Sequence, residues 1–389
     1  MEPPRWTISE IDVDNFKSLV DFRCAVAKFT CLVGLNGSGK TTLLQWLDFM
    51  SNLPRGHVDG WLEKRSWTKA DLKSRVALDH QPKKLITFRT AFTDSQGDLA
   101  AVWRGTFSVS KLRLVKEHVE IGDEWFSVEG DSYNFSGRGK PHEVSFDYQG
   151  SILSQLKQSI LPEGVRRFLE FVSSVSSLEL LAPQYLRQRT RESKGELGIG
   201  GQYLSAFLHE LGREKRVLLA KELKEFYATK PNVLTRSLRS GWKQLSVQER
   251  FAHAKLITEA RHVNDGMLRV LAVLAELQTD HRVAVLDEIE NGINPEVVEQ
   301  LVDRLVNADK QVIVTTHSPM ILNYLDDATA EKGVIYLYKT RQGATKAIPF
   351  FSISSLRKKL AVMGPGEAFV DTNLTELAAE IADMTTEKA

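Results

Sequence analysis

The sequence contains few cysteines and no long apolar run. Cys24 and Cys31 are the two cysteines among 389 residues, and two are too few for a disulfide framework. Because both lie in short strand-like segments, we predict that they are buried as small apolar side chains. The sequence has no stretch of about 18 apolar residues that could form a transmembrane helix. The first residues also lack the basic and apolar regions of a signal peptide. We therefore expect a cytoplasmic protein with no membrane segment.

Neither sign of charge is in excess. The chain has 51 Lys and Arg against 50 Asp and Glu, which gives a formal net charge of +1. This balance gives no electrostatic reason to predict a nucleic-acid coat or a membrane-surface protein, although it leaves room for a local basic patch. Long heptad repeats are also missing, and Pro162, Pro183 and Pro231 interrupt the middle of the chain. A long coiled-coil arm is therefore not expected.

The spacing of apolar residues predicts an α/β fold with a parallel sheet. Residues 85–148 alternate apolar and polar side chains, as half-buried antiparallel strands do. Residues 151–261 carry apolar residues at three- and four-residue intervals, as helices do, apart from a strand-like segment at 178–181. After residue 265, helices alternate with apolar strands, which indicates a buried parallel sheet. We predict that the chain forms one unit with four parts: 1–65, which contains a glycine-rich loop; 66–150, an antiparallel β-rich lobe; 151–261, a helical lobe; and 262–389, which completes the parallel sheet.

A glycine-rich loop at residues 34–41 predicts a P-loop NTPase core. It reads GLNGSGKT and matches G-x-x-x-x-G-K-[ST] at every required position, between an apolar strand and a helix. The glycines let backbone N–H groups approach phosphates, and the helix N-terminus adds its dipole. Lys40 is predicted to reach the β- and γ-phosphates, and Thr41 to ligate Mg²⁺. The predicted ATP-binding residues of the loop are Asn36, Gly37, Ser38, Gly39, Lys40, Thr41 and Thr42.

Two adjacent carboxylates end an apolar strand that reads VAVLDE at residues 283–288. One acid at a buried strand end suits a magnesium site, and the next can accept the proton of a water that attacks the γ-phosphate. We predict that Asp287 acts at the metal and that Glu288 is the general base. Asn294 and Pro295 follow closely and favour the start of a helix.

A further apolar strand, VIVTTHSP at residues 312–319, ends in hydroxyls and a histidine. A lone histidine is usually structural. At a strand end beside a phosphate loop, however, His317 can sense the γ-phosphate and position the attacking water. The predicted catalytic residues are therefore Glu288, His317 and Lys40.

The motifs GLNGSGKT, VAVLDEIENGINPE and VIVTTHSP together resemble the ABC-type ATPase heads of the RecF, SMC and OLD class. The resemblance implies ATP and Mg²⁺ as ligands, and a signature turn that contacts ATP on the opposite protomer of a homodimer or higher oligomer. Residues 262–269, HVNDGMLR, stand where that turn is expected. Asn264 replaces the common serine and Gly266 holds the glycine position. A glutamine at the metal site is also implied, for which Gln184 and Gln81 are the candidates.

The departures from that class narrow the implied function. The residues after His317 contain no D-x-D pattern, so a fused TOPRIM nuclease of the OLD type is not expected. Stand-alone heads of this kind resemble bacterial anti-phage defence ATPases, which work with a separately encoded effector protein. We therefore expect an ATPase that acts as a nucleotide-dependent assembly switch.

Two other functions stay open. One is a RecF-like repair ATPase that clamps duplex DNA, and the other is an ATP-bound scaffold without turnover. The intact Asp287 and Glu288 pair argues against the scaffold. Basic side chains that could meet DNA phosphates, or simply form solvated faces, are Arg187, Arg189, Arg191, Arg357, Lys358 and Lys359.

Overall fold

The computed structural model describes residues 5–76, 83–179, 181–377 and 381. The strands of these ranges are β1 (Thr7–Asp14), β2 (Phe22–Ala25), β3 (Phe29–Val33), β4 (Leu85–Thr93), β5 (Leu99–Ser108), β6 (Arg113–Ile121), β7 (Glu124–Glu129), β8 (Ser132–Phe135), β9 (His142–Glu143), β10 (Val175–Leu178), β11 (Asn232–Ser237), β12 (Lys243–Arg250), β13 (Lys255–Glu259), β14 (Val283–Leu286), β15 (Gln311–Thr315), β16 (Val334–Lys339) and β17 (Thr345–Pro349). The α-helices are α1 (Lys40–Asn52), α2 (Val58–Lys64), α3 (Glu163–Ser173), α4 (Pro183–Leu186), α5 (Leu204–Glu210), α6 (Arg213–Phe226), α7 (Asp265–Leu277), α8 (Pro295–Val306), α9 (Pro319–Asn323), α10 (Asp327–Gly333), α11 (Ser354–Leu360) and α12 (Pro365–Val370).

The predicted parallel sheet forms the centre of the molecule. Its strand order is β10-β14-β15-β3-β16-β17, and every neighbouring pair is parallel except β16 with β17. Strands β14 and β15 are buried along their whole length, as expected for a sheet covered on both faces. Because the carboxyl ends of parallel strands meet at one edge, the residues that follow β3, β14 and β15 lie side by side.

An antiparallel sheet packs over the first long helix. Its order is β2-β1-β4-β5-β6-β7-β8-β9, which confirms the predicted antiparallel strands as far as β9. The strand alternation predicted at residues 144–148 is wrong, because the structure has no strand there and Phe146 is exposed. Helix α1 is buried on this side, where the Trp46 ring lies 5.3 Å from that of Phe88 and the Phe49 ring lies 5.2 Å from that of Phe107. The same helix contacts β10 and β14 of the central sheet. Helix α1 therefore fixes the phosphate loop, which precedes it, relative to both sheets.

The prediction that residues 151–261 are mostly helical is partly wrong. Helices α3, α5 and α6 are present, but residues 232–259 form an antiparallel sheet in the order β11-β12-β13. Leu245 and Val247 alternate inward on β12, but no residue of the flanking strands β11 and β13 is buried, so those strands lack the apolar–polar alternation of a half-buried strand. The strand expected at residues 178–181 is displaced by three residues, because β10 spans Val175–Leu178 and shares only residue 178 with the predicted segment.

Helix α7 runs through the core beneath the central sheet. All its residues from Met267 to Glu276 are buried, so the helix that follows the predicted signature turn packs on every side. Cys24 and Cys31 are buried and unpaired, as predicted, and burial raises the pKa of Cys24 to about 12. Among the described helices, none is long and apolar enough to cross a membrane.

Candidate active site

The phosphate loop joins β3 to α1 and needs glycine for two different reasons. Gly34, Gly37 and Gly39 all have positive φ angles, of 147°, 77° and 110°, which side chains with a Cβ rarely adopt. A Cβ on Gly39 would lie 2.2 Å from Thr345 Oγ1, whereas a Cβ on Gly37 would meet nothing within 4 Å. Gly39 therefore permits close packing against β17, and Gly37 keeps the outer side of the loop open.

The side chain of Lys40 is held inside the phosphate loop. Its ammonium Nζ donates to Gly34 O at 2.8 Å and to Leu35 O at 3.3 Å, and the residue is 5% exposed. Burial lowers the pKa of Lys40, while the carboxylates of Asp287, Glu288 and Glu290 oppose that shift. The loop thus holds a cation beside a group of acids, where a phosphate would meet it.

The other loop residues predicted to bind ATP differ in exposure. Asn36, Gly37 and Thr41 are exposed, and Thr42 is half-buried. Ser38 is 3% exposed, and its carbonyl oxygen accepts a hydrogen bond from Thr345 Oγ1 at 2.9 Å. The exposed members lie on the open side of the loop, while Ser38 anchors it to β17.

Thr41 and Asp287 meet at the edge of the central sheet. Thr41 Oγ1 donates to Asp287 Oδ2 at 3.2 Å, and Thr315 Oγ1 donates to the other carboxylate oxygen, Oδ1. Burial raises the pKa of Asp287, against the effect of these two hydrogen bonds. A hydroxyl and a carboxylate are oxygen ligands of the kind that Mg²⁺ prefers. No group of three or more His, Cys, Asp or Glu in the described residues could hold a metal alone, so the remaining ligands would come from nucleotide and water.

Glu288 and His317, predicted to act together, lie together. His317 Nε2 is 3.5 Å from Glu288 Oε1, and Asn291 Nδ2 donates to Glu288 Oε2 at 3.2 Å. The backbone of Glu288 is left-handed, with a φ of 48°, and its N–H donates to Thr315 Oγ1 at 2.9 Å. The hydroxyl of Thr315 therefore binds both acids of the motif. The sequence motifs alone do not single out this residue, although it lies two positions before His317.

The predicted signature turn is the N-terminus of α7. Asn264 caps the helix, because its Oδ1 accepts from Met267 N at 2.8 Å. A Cβ on Gly266 would lie 2.7 Å from Gly292 O, so this glycine lets the helix pack on the turn after Glu288. Arg187 donates to Val263 O at 2.8 Å and pairs with Asp265. These contacts fix the position of the helix N-terminus relative to the acidic strand.

Gln184, the first glutamine candidate, is exposed on α4, and among the described residues it makes no hydrogen bond to Asp287. Gln81, the second candidate, lies outside the described residues. Glu179 instead follows β10, which pairs with β14 so that Leu178 stands opposite Leu286. The charge of Glu179 helps to raise the pKa of Asp287. The carboxylate of Glu179 also pairs with Arg65 at 2.6 Å. The residue at the strand end adjacent to Asp287 is thus an acid that no sequence motif singles out.

A cavity of about 510 Å³ is connected to the phosphate loop through Ser18 and Thr345, although its lining contains no residue of the loop itself. Lys17 Nζ lies 3.7 Å from the centre of the Trp67 ring and donates to Gln45 of α1 at 2.9 Å. Ser18 Oγ lies 2.8 Å from Thr345 Oγ1, the hydroxyl that holds the loop. An aromatic ring and a cation here could contact the base and ribose of a nucleotide. The cavity is lined by Lys17, Ser18, Trp67, Lys73, Arg75 and Lys339, among others.

The fold and these contacts define a P-loop ATPase head of the ABC type, as the three sequence motifs predicted. Residues 29–323, more than half of the chain, match a family described as "AAA domain, putative AbiEii toxin, Type IV TA system". The chain belongs to that family. No curated protein sequence matches the chain.

Solved structures of SMC heads share the fold. One is an SMC head bound to the "C-winged helix domain of ScpA", with 13% identity, a TM-score of 0.57, and coverage of 88% of this chain and 97% of the other. Another is the Smc head with an extended coiled coil bound to the C-terminal domain of ScpA, derived from Pyrococcus furiosus. It has 13% identity, a TM-score of 0.52, and coverage of 92% and 100%. At this identity the likeness concerns the fold alone.

Proposed function

We propose that the protein binds MgATP and hydrolyses it at a site shared by two copies of the chain. The observation that supports this most is the convergence of five side chains from three distant parts of the sequence. Lys40 supplies a cation, Thr41 and Asp287 supply oxygen ligands in contact with each other, and Glu288 and His317 lie within 3.5 Å. This is the set of charges that phosphoryl transfer to water requires.

Each group has a separate part in the proposed reaction. Thr41 and Asp287 would hold Mg²⁺, which neutralises phosphate charge when bound. Glu288 accepts a proton from the attacking water, and His317, beside the same carboxylate, orients that water and contacts the γ-phosphate. The Thr315 hydroxyl holds both acidic residues in position, since it donates to the carboxylate of Asp287 and accepts from the backbone N–H of Glu288.

The role of Glu288 is tested by Glu288→Gln, because an amide keeps the shape but cannot accept the proton. Hydrolysis should fall by about 10²–10⁴-fold, the usual contribution of a general base, while ATP affinity stays close to that of the unchanged protein. Single-turnover hydrolysis and calorimetric binding measure the two quantities. Full activity in Glu288→Gln would contradict the assignment.

The shared site is proposed from the N-terminus of α7. The described contacts of this turn go to Arg187 and Gly292 in the same chain, and Asn264 is exposed. A helix N-terminus attracts anions through its N–H groups and dipole. We infer that it contacts the γ-phosphate of ATP bound to a second copy, so that ATP holds two heads together.

Mixing two inactive variants tests this arrangement. Lys40→Ala loses the phosphate loop and Asn264→Arg obstructs the signature turn, so a mixed dimer retains one intact composite site and should recover part of the activity. Gly266→Asp serves as a second signature variant, although its Cβ would press on Gly292 O, and its unfolding temperature must be checked. Coexpressed, verified mixed assemblies that stay inactive would refute the trans arrangement.

We further propose that the ATP-dependent assembly controls a separately encoded effector in bacterial anti-phage defence. The supporting observation is membership of a family whose description refers to a toxin–antitoxin system. Native mass spectrometry of the protein coexpressed with its neighbouring genes, with Glu288→Gln and Lys40→Ala as the ATP-bound and ATP-free forms, tests this. A partner that binds one form preferentially supports the proposal, and the absence of any nucleotide-dependent partner contradicts it.

A DNA clamp is the second candidate, because charge is unevenly distributed. Residues 187–262 hold 16 Lys and Arg against 8 Asp and Glu, a net charge of +8, so the rest of the chain carries −7 to reach the total of +1. Within these residues, the pKa of His209 is lowered mainly by burial and further by the nearby charges of Lys243 and Arg216. Arg191 lies 5.0 Å over the exposed Trp242 ring. Such a surface suits phosphate contacts.

Three of the six basic side chains predicted to meet DNA already have an acidic partner in the chain. Arg187 pairs with Asp265, Arg189 with Glu259 and Lys359 with Asp371. Fluorescence anisotropy with duplex DNA therefore compares Lys243→Glu with the control Lys332→Glu, an exposed change on α10. Weaker, less salt-dependent binding in the first variant alone supports the DNA function. Equal binding by both variants contradicts it.

A further inference from the structure

Glu290 lies between the acidic strand and the histidine turn and has no role in the reaction described above. Its Oε1 accepts two hydrogen bonds, from Thr316 Oγ1 at 2.9 Å and from the backbone N–H of His317 at 2.8 Å. Its Oε2 is buried and accepts no hydrogen bond from the described residues. One carboxylate oxygen thus holds the two residues at the point where β15 ends.

The two bonds determine where the chain turns after β15. Thr316 Oγ1 also accepts from Ser318 N at 2.9 Å, so the hydroxyl that donates to Glu290 connects the turn on both sides. Ser318 in turn caps α9, because its Oγ accepts a hydrogen bond from the backbone N–H of Met320 at 3.3 Å. The side chain of His317 projects from this turn and ends 3.5 Å from Glu288 Oε1.

A charged acceptor suits this position for electrostatic reasons. Hydrogen bonds to a carboxylate are stronger than those to a neutral acceptor, and the charge of Glu290 also acts on Lys40. Without the carboxylate, the N–H of His317 and the hydroxyl of Thr316 would need new partners. The turn could then relax by a few tenths of an ångström to an ångström, and such displacements of a reacting group can cost about 10²-fold in rate.

We propose that Glu290 is a positioning residue, which holds the His317 backbone so that the imidazole stays in line with Glu288. This inference rests on the proposed ATPase function. Glu290 touches no reacting atom in this scheme and acts through His317.

Steady-state ATPase kinetics of a double-mutant cycle test the proposal. Glu290→Ala should lower kcat by about 10- to 100-fold with KM within about twofold. Glu290→Gln keeps a carbonyl oxygen for both donors and should recover most of the activity. Glu290→Ala combined with His317→Ala should be no slower than His317→Ala alone, because residues that act through one group are not additive. The matched control is Glu299→Ala, an exposed acid on α8, which should behave as the unchanged protein.

Other outcomes would overturn the proposal. Multiplicative losses in the double variant would show that Glu290 acts independently of His317. A lower unfolding temperature or weaker ATP binding in Glu290→Ala, with unchanged kcat, would make Glu290 a structural residue.

A measurement that needs no turnover separates this inference from the proposed function. In protein labelled at histidine, the ring signals of His317, assigned with His317→Ala, should shift in Glu290→Ala and not in Glu299→Ala. Unmoved signals would refute the positioning role even if the protein hydrolyses ATP. Shifted signals in a protein without ATPase activity would sustain it while the proposed function fails.

Discussion

Glu117 allows the cost of a buried charge to be predicted from the structure. It lies on β6 and is 2% exposed. Trp103 Nε1 donates to its Oε1 at 3.0 Å and Ser151 Oγ donates to its Oε2 at 2.7 Å. Burial nevertheless dominates and raises the pKa of Glu117 from 4.5 to about 7. The folded state therefore retains a proton that the unfolded chain loses near pH 4.5.

The sign and size of the effect follow from this difference in pKa. Stability associated with Glu117 is fully present below pH 4.5 and is lost as the pH rises to about 7, where the folded protein ionises too. At 1.36 kcal/mol per pH unit, the loss amounts to about 3 kcal/mol. Glu117→Gln keeps a carbonyl acceptor for Trp103 but cannot ionise, so the substitution should remove this loss.

Urea unfolding at pH 5 and pH 8 measures the difference. The gain in unfolding free energy from Glu117→Gln should be about 2 to 3 kcal/mol larger at pH 8 than at pH 5. The control is Glu120→Gln, an exposed change three residues later on the same strand, which should alter stability by at most about 0.5 kcal/mol at either pH. Equal gains in unfolding free energy at the two pH values would refute this argument. They would show that the change of side chain, and not the ionisation of a buried carboxyl group, causes the gain.

Three further predictions concern the nucleotide site. Lys40→Ala should abolish ATP binding in calorimetry, because the phosphates lose their fixed cation; unchanged affinity would contradict the phosphate loop. Thr315→Val should lower kcat by about 10- to 100-fold without unfolding the protein, because Asp287 loses a donor and the N–H of Glu288 loses its acceptor; an unaltered kcat would exclude this orienting role. Trp67→Ala should raise the KM for ATP about tenfold with little change in kcat, as expected for the loss of about 1.4 kcal/mol of contact with the nucleoside; a normal KM would place the nucleoside elsewhere.

Local motifs made the core of the fold and much of the site predictable. The glycine loop, the acid pair and the histidine each occupy a few consecutive residues, and each follows an apolar strand. Each of Lys40, Asp287, Glu288 and His317 comes shortly after one of the parallel strands β3, β14 and β15. Because parallel strands end at one edge of the sheet, their proximity could be predicted from the sequence. Thr315 could have been identified in the same way, because it is the last residue of β15.

Contacts that depend on long-range register could not be predicted. Glu179 lies beside Asp287 because β10 pairs with β14, more than 100 residues later, and no local pattern encodes that pairing. The cavity connected to the phosphate loop likewise joins Lys17 with Trp67, which are far apart in sequence. The strands at residues 232–259 carry no clear sequence signal because β11 and β13 have no buried face, so their apolar residues do not alternate with polar ones.

The packing of the phosphate loop has a consequence for the order in which the protein can be built on a ribosome. Strand β3 leads into the loop and pairs with β15 and β16, and Thr345 at the start of β17 holds the loop through the carbonyl of Ser38. All three partners lie after residue 310. A nascent chain that has released only its first two thirds would therefore carry the glycine motif without the neighbours that shape it. We expect the ability to capture nucleotide to arise late in synthesis, when β15, β16 and β17 have left the exit tunnel.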